Sequence, residues 1–167
     1  MKNVLIAAAA AVTLALVAAP ASAQDSSGVK VYASIGYTVL GDSDVTLGAA
    51  QARVGFRGEH FGIEAEGAIG VAGDSISGLD VDLDNEFAGY LVGYMPVSEN
   101  VDLIGRIGYG TFQVSTPFGS GDAQTTNFGV GLQYNMDDSN GFRADYTYMS
   151  GDGNAYMAGI SFVHTFR

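Results

Sequence analysis

Hydrophobic and polar residues alternate along most of the chain with a period of two, which is typical of β-strands. The last segment, 156–166, shows this pattern most clearly. One of its faces is apolar with aromatic ends, and the other is small and mixed in character. The apolar face consists of Tyr156, Ala158, Ile160, Phe162, His164 and Phe166. An open edge on so apolar a terminal strand would invite aggregation, so we expect it to pair with the first strand and close a barrel.

The same alternation recurs in eight segments that follow one another in hairpin order. Turn residues separate these segments, and no helical period follows the first 23 residues. The predicted strands are 30–39, 47–57, 63–69, 87–95, 101–112, 127–134, 142–148 and 156–166. Stretches rich in Gly, Ser, Thr and Asp predict longer connections at 71–85 and 115–124. The pattern therefore predicts an all-β fold, an eight-stranded antiparallel up-and-down β-barrel.

The beginning of the chain has the organisation of a secretory signal peptide. Lys2 is followed by an apolar run at 4–19, and residues 21–23 have the small-x-small form of a cleavage site. A membrane anchor is the alternative, but the run is short for a helical span and lacks a basic flank. The sequence thus predicts a signal peptide at 1–23 and one β-barrel domain at 24–167.

The composition narrows the classes of partner. The chain has a formal net charge of −11 and contains no cysteine. So acidic a protein is a poor partner for nucleic acid. An exported chain of this size without disulfides must also be held together in another way. We expect no cofactor.

The character of the second face distinguishes a membrane barrel from a soluble one. It is composed mainly of Gly, Ser, Thr and Gln with a few charges of both signs, whereas a soluble barrel would carry many hydrated charges on its outside. We therefore expect the apolar face to meet lipid and the charges to line the lumen. These charges nearly cancel, because an unpaired ion away from water is costly. The expected lumen ion network comprises Lys30, Arg53, Arg57, Glu64, Glu66, Asp102, Arg106, Arg143 and Asp145.

Aromatic residues at the ends of the apolar face resemble the two interfacial girdles of a membrane barrel. Tyr94, next to Pro96, suits such a girdle, so alternate residues of segment 87–95 are expected to face outward with it. The outward set is Ala88, Tyr90, Val92 and Tyr94, and the inward set is Gly89, Leu91 and Gly93. The expected aromatic belt and C-terminal assembly strand comprise Tyr37, Phe56, Tyr94, Tyr109, Tyr134, Tyr148, Tyr156, Phe162 and Phe166.

Three stretches give the chain a resemblance to the OmpA/OmpX-like outer-membrane β-barrel family, a family of porin-like proteins. They are ARVGFR at 52–57 with FGIEAEG at 61–67, GVGLQY at 129–134 with FRADY at 142–146, and the aromatic C-terminal strand. The resemblance covers essentially the whole chain after the predicted signal peptide. It implies a transmembrane barrel in a bacterial outer membrane. In that family the barrel-assembly machinery reads a C-terminal phenylalanine, whereas here Arg167 follows Phe166.

An Asp-x-Asp-x-Asp run superficially resembles a calcium-binding loop. It consists of Asp80, Asp82 and Asp84, but Asn85 stands at the sixth position, where such a loop requires glycine. A solvated acidic loop is the preferred interpretation, and no metal site is expected.

The two histidines are the remaining candidates for catalysis. In the predicted topology His164 faces lipid while the neighbouring Ser161 faces inward, and His60 lies in a turn beside Glu59. Neither arrangement provides a nucleophile with a base or a metal cluster. We therefore expect no enzyme activity and no catalytic residue.

Three functions remain open at this point. The first is a non-enzymatic integral outer-membrane protein with an envelope-structural or surface-interaction role, whose lumen is plugged by the ion network. The alternatives are a small-solute, porin-like channel and a soluble periplasmic ligand-binding barrel. The resemblance implies outer-membrane lipid, lipopolysaccharide and, through the C-terminal strand, the barrel-assembly machinery as partners. A monomer is expected.

Overall fold

The structure is a computed structural model that describes residues 28–41, 46–72, 74–76, 79–116, 119–151 and 154–166. Side chains are described for these residues except 74–76, 79–82, 114–116 and 119–120. The predicted signal peptide, the turn at 42–44, Arg167 and the side chains of Asp80 and Asp82 lie outside this description. In the part of the chain that is described, no helix is long and apolar enough to cross a membrane.

Nine strands follow one another along the chain, and eight of them build the wall of a barrel. The strands are β1 (Lys30–Gly41), β2 (Thr46–Arg57), β3 (Phe61–Ala72), β4 (Asp74–Ile76), β5 (Leu79–Pro96), β6 (Val101–Thr116), β7 (Gly119–Asn135), β8 (Asn140–Gly151) and β9 (Ala155–Phe166). The short β4 pairs with the start of β5. A tilted membrane crossing needs about 9–11 residues, so the longest strands extend beyond the hydrocarbon layer.

The barrel closes through antiparallel pairing of the first and last strands. The pairing of β1 with β9 runs from Val31 opposite Phe166 to Gly41 opposite Tyr156. All other wall strands pair with their neighbours along the chain, including β3 with β5. The predicted closed, eight-stranded antiparallel barrel is therefore confirmed. Closure pairs the backbone groups of every wall strand, as a hydrocarbon environment requires.

The two long connections predicted from composition are wrong. Strand β3 continues to Ala72 and β5 begins at Leu79, while the β6–β7 hairpin stays paired up to Thr116 opposite Gly119. Segments 71–85 and 115–124 are rich in Gly, Ser, Thr and Asp, a composition that predicts a loop. Hydrogen bonds between the backbones of paired strands do not depend on the polarity of the side chains. These strands are therefore longer than their segments of alternating apolar residues.

Burial identifies which residues face the lumen. In β2, β3, β6, β7, β8 and β9 the charged side chains predicted to face inward are buried, apart from the half-buried Arg57. Most of the large outward side chains are exposed, for example Ile160 with 69% and Val130 with 61% exposure. In β1, Ile35 and Tyr37 are likewise exposed. The outward Val31 is buried, since its cross-strand neighbours Phe56 and Phe166 are large.

The phase predicted for β5 is wrong. The predicted outward residues Ala88, Tyr90, Val92 and Tyr94 are buried inside, where they pack with Ile104 of β6. The alternating residues Phe87, Leu91 and Met95 face outward and are more than half exposed. Both faces of this strand contain apolar residues, so alternation alone does not fix its phase. The tyrosines point inward because their hydroxyl groups bind buried polar groups there.

The interior has a polar centre and an apolar cap. We call the end at which β1 begins and β9 ends the near end, and the opposite end the far end. Charged side chains fill the lumen from the near end to its middle. The apolar cap fills the lumen toward the far end and consists of Leu40, Leu47, Ala49, Ala68, Leu83, Met149 and Met157.

Candidate functional site

The β2–β3 hairpin provides the first members of a buried ion network. Arg53 of β2 is directly opposite Glu66 of β3, and Glu64 lies two residues along the same inward face. Two-residue periodicity therefore places one guanidinium and two carboxylates on the lumen side of one hairpin. Arg53 also reaches across the barrel, where its Nη1 and Nη2 atoms donate to both oxygens of Asp145 at 2.9 and 2.7 Å.

Arg106 of β6 lies at the centre of the network. Its Nη1 donates to Glu66 at 2.7 Å and to Glu64 at 3.1 Å. Its Nη2 donates to Asp145 at 3.2 Å and to Thr147 at 2.6 Å. One fully buried guanidinium thus connects β3 with β8 through charge-assisted hydrogen bonds, which are stronger than neutral ones.

Arg143 of β8 completes the network. Its Nη1 donates to Oε2 of Glu64 at 2.7 Å, and its Nε lies 3.8 Å from Asp145. The side chains of the three arginines and their three carboxylate partners are at most 3% exposed. This buried arrangement of three cations with three anions satisfies the requirement that buried ions be paired.

Three tyrosines extend the network along the lumen wall. The hydroxyl of Tyr94 donates to that of Tyr32 at 3.1 Å, which donates to Glu64 at 2.6 Å. Tyr90 donates to Glu66 at 3.2 Å, and its ring lies under the guanidinium of Arg106 at 4.2 Å. Tyr94 was expected in the outer aromatic belt, and the inward phase of β5 corrects this expectation.

A separate ion pair lies at the near end. Nη2 of Arg57 is 2.8 Å from Oδ2 of Asp102, and this guanidinium lies over the ring of Tyr94 at 4.1 Å. A cavity of about 460 Å³ opens here and is lined partly by Lys30 and Arg57. Lys30 was expected in the lumen network, but it is exposed at this mouth, because it is the first residue of β1 and lies beyond the closed part of the wall.

Comparison with known families assigns the architecture. The family model described as "Outer membrane protein beta-barrel domain" matches residues 8–166. The chain belongs to the outer-membrane β-barrel family. Membership implies a bacterial outer membrane as its location, and the polar interior with an apolar outside rules out the soluble periplasmic barrel.

Solved structures of this family share the fold at low sequence identity. The attachment invasion locus protein Ail of Yersinia pestis has a TM-score of 0.61 and 20% identity, covering 84% of this chain and 100% of Ail. The N-terminal barrel of Pseudomonas aeruginosa OprF has a TM-score of 0.63 and 12% identity, covering 85% and 100%. Neisserial surface protein A has a TM-score of 0.58 and 15% identity, covering 86% and 99%. A comparison with curated protein sequences finds no significant match.

The remaining aromatic residues of the expected belt lie on the outside of this outer-membrane barrel. Tyr37, Phe56, Tyr109, Tyr134 and Tyr148 are each more than two-fifths exposed, and Phe162 is 36% exposed. Tyr156 and Phe166 are half-buried in β9, where Tyr156 stacks on Tyr146 and Phe166 packs edge-on against His164.

Sequence reasoning missed several lumen residues. Glu86, Thr147, Tyr32 and Tyr90 all contribute to the interior, yet the network predicted from the sequence includes none of them. For Glu86, Tyr90 and Tyr94 the reason is that the phase predicted for β5 is wrong. For Tyr32 the signal was Glu64, which lies beyond Gly55 in the same cross-strand row and accepts a hydrogen bond from its hydroxyl.

The histidines and Asp84 occupy peripheral positions. His60 is exposed in the turn before β3, and Nδ1 of His164 lies 2.9 Å from Oδ1 of Asn140. Asp84 is exposed on β5. Among the described side chains, no group of three His, Cys, Asp or Glu is arranged to hold a metal ion.

Proposed function

We propose that this chain is a non-enzymatic integral outer-membrane protein with an envelope-structural or surface-interaction role, and that its ion network plugs the lumen. The observation that supports this proposal is the arrangement of Arg53, Arg106 and Arg143 with three carboxylates across the middle of the barrel. A barrel of eight strands is only wide enough for side chains to fill. The apolar cap adds a second barrier toward the far end.

The same surfaces suggest its partners. The exposed apolar band fits outer-membrane lipid and lipopolysaccharide, and the aromatic β9 fits recognition by the barrel-assembly machinery. The chain acts as a monomer and reaches the membrane through its signal peptide. Ail was solved with the heparin analogue sucrose octasulfate. A net charge of −11 makes such a polyanion a poor ligand for this chain, so its surface partner has a different chemistry.

Conductance in a planar bilayer tests the plug. The wild type should give no stable conductance, whereas a charge-neutral double variant, Arg53→Ala with Glu66→Ala, should give discrete openings because it removes a buried pair from the lumen. The matched control is Lys30→Ala with Glu99→Ala, which removes one charge of each sign at the exposed near end. A heat-modifiable band in SDS must show that each protein is folded.

A wild type that conducts as well as the Arg53/Glu66 double variant would contradict the plug. It would instead favour the small-solute channel. If only the double variant conducts, the closed structural role is supported.

A further inference from the structure

Glu86 is a buried acid that the ion network does not use. It lies on the inward face of β5 with 1% exposure, and neither of its carboxylate oxygens has a hydrogen-bond partner. It lies in a cross-strand row with Ala68 of β3 and Gln51 of β2. The small alanine between them places no large side chain between Glu86 and Gln51 in this row.

Among the described side chains, the buried charges of the lumen balance only if Glu86 is left out, since Lys30 is exposed at the mouth. Arg53, Arg106 and Arg143 offset Glu64, Glu66 and Asp145, and Arg57 offsets Asp102 at the near end. Glu86 would add one uncompensated negative charge. An unpaired carboxylate away from water costs several kcal/mol, so a buried acid in this position is expected to become neutral instead.

The charged groups around Glu86 do not offer it a partner. Its electrostatic neighbours are Glu66 of β3, Arg53 of β2 and Arg106 of β6, together with the phenol of Tyr90 on its own strand. Both arginines already donate to other carboxylates. Glu66 repels a second negative charge nearby.

Apolar residues and one hydrogen-bond acceptor also lie next to Glu86. The apolar cap begins next to Glu86, since a register irregularity between Leu83 and Asn85 turns Leu83 inward. Gln51, in the same cross-strand row as Glu86, has a buried amide oxygen that accepts no hydrogen bond. A neutral carboxylic acid has one O–H to donate to such an acceptor, whereas a carboxylate has none.

We propose that Glu86 is a proton-binding site inside the barrel, occupied at neutral pH, that balances the buried charges beneath the apolar cap and keeps water out of the lumen there. The bound proton supplies the single positive charge that the network lacks and gives the buried carboxyl group a hydrogen-bond donor. Loss of this proton leaves an unpaired carboxylate, which draws water into the lumen and loosens the cap. This inference goes beyond the structural role and holds whether or not the barrel conducts.

Infrared spectroscopy of the full refolded chain in lipid vesicles tests the proposal directly. At pH 7 the wild type should show the carbonyl stretch of a protonated carboxylic acid, which is distinct from the carboxylate bands. Glu86→Gln should lose this band, and the control Glu99→Gln, at an exposed turn, should keep it. If Glu86→Gln does not refold, Glu86→Leu takes its place, because an uncharged side chain suits the site.

Unfolding at different pH values provides an independent readout. If native Glu86 keeps a proton that the unfolded chain releases, the native state binds more protons and stability falls as pH rises. Between about pH 5 and 8, the folding equilibrium constant of the wild type should fall about tenfold per pH unit relative to Glu86→Gln. The proposal is overturned by a wild type without the acid band, by a band that survives in both variants of Glu86, or by parallel pH profiles. A carboxylate at Glu86 that is stabilised by Na⁺ or Ca²⁺ would also overturn it.

Discussion

Replacement of Arg106 by methionine tests whether the ion network stabilises the barrel. Methionine keeps much of the length of the side chain but removes the charge and the donors to Glu64, Glu66 and Asp145. These carboxylates keep bonds to Arg143 and Arg53, so the variant leaves one net negative charge in excess rather than three isolated anions. Removing one partner of a buried ion pair costs about 3–5 kcal/mol, and we expect a loss of this size.

The assay is denaturant-induced unfolding of the refolded protein in lipid vesicles, followed by the heat-modifiable shift in SDS. Lys30→Met is the matched control, because it removes a positive charge at an exposed position and should change the free energy of unfolding by less than about 0.5 kcal/mol. Adding Glu66→Gln to Arg106→Met removes the excess charge. The double variant should therefore be more stable than the sum of the single changes predicts, by about 0.5–3 kcal/mol. Equal stability of Arg106→Met and Lys30→Met would refute the reasoning.

Three further predictions concern the wall of the barrel. Gly129→Ala should lower the melting temperature, because a Cβ atom would lie 2.7 Å from Cγ of the network's central arginine; Gly105→Ala, where no atom lies within 4 Å, should not. Ile160→Arg, in the lipid-facing middle of β9, should lower the free energy of unfolding by about 2–4 kcal/mol. Phe61→Arg at the near end should lower it by only about 0–1 kcal/mol, and equal losses would argue against this placement in the membrane. Phe166→Ala should lower the amount of assembled barrel in the outer membrane of a Gram-negative host more than it lowers the thermal stability of refolded protein. Proportional losses of assembly and stability would count against recognition of this strand.

Most of the fold could be predicted from sequence because the wall strands other than β5 have one mainly apolar face and one mainly small or polar face. The pairs Arg53–Glu66 and Arg143–Asp145 follow from strands whose phase is unambiguous. The strand ends could not be predicted, since hydrophobicity marks the lipid layer whereas the backbone ladder extends beyond it. The apolar cap was also missed. Its members come from six strands. Within any one strand, an apolar residue on the inward face looks like an isolated exception to the pattern.

The wrong phase of β5 and the unnoticed Glu86 have one cause. Side chains alternate with a period of two, so choosing the wrong face for Tyr94 moves every residue of the strand to the other side. With the correct phase, the sequence places Glu86 in the lumen. Because Lys30 is exposed at the mouth, the buried charges of the described side chains then include one acid too many. This excess is invisible in any single strand because it is a property of the closed lumen. The interior of such a barrel must be neutral overall, so the sum of its inward charges tests the predicted strand phases. If the phases are correct and the inward charges still do not cancel, the excess points to a site for a compensating proton.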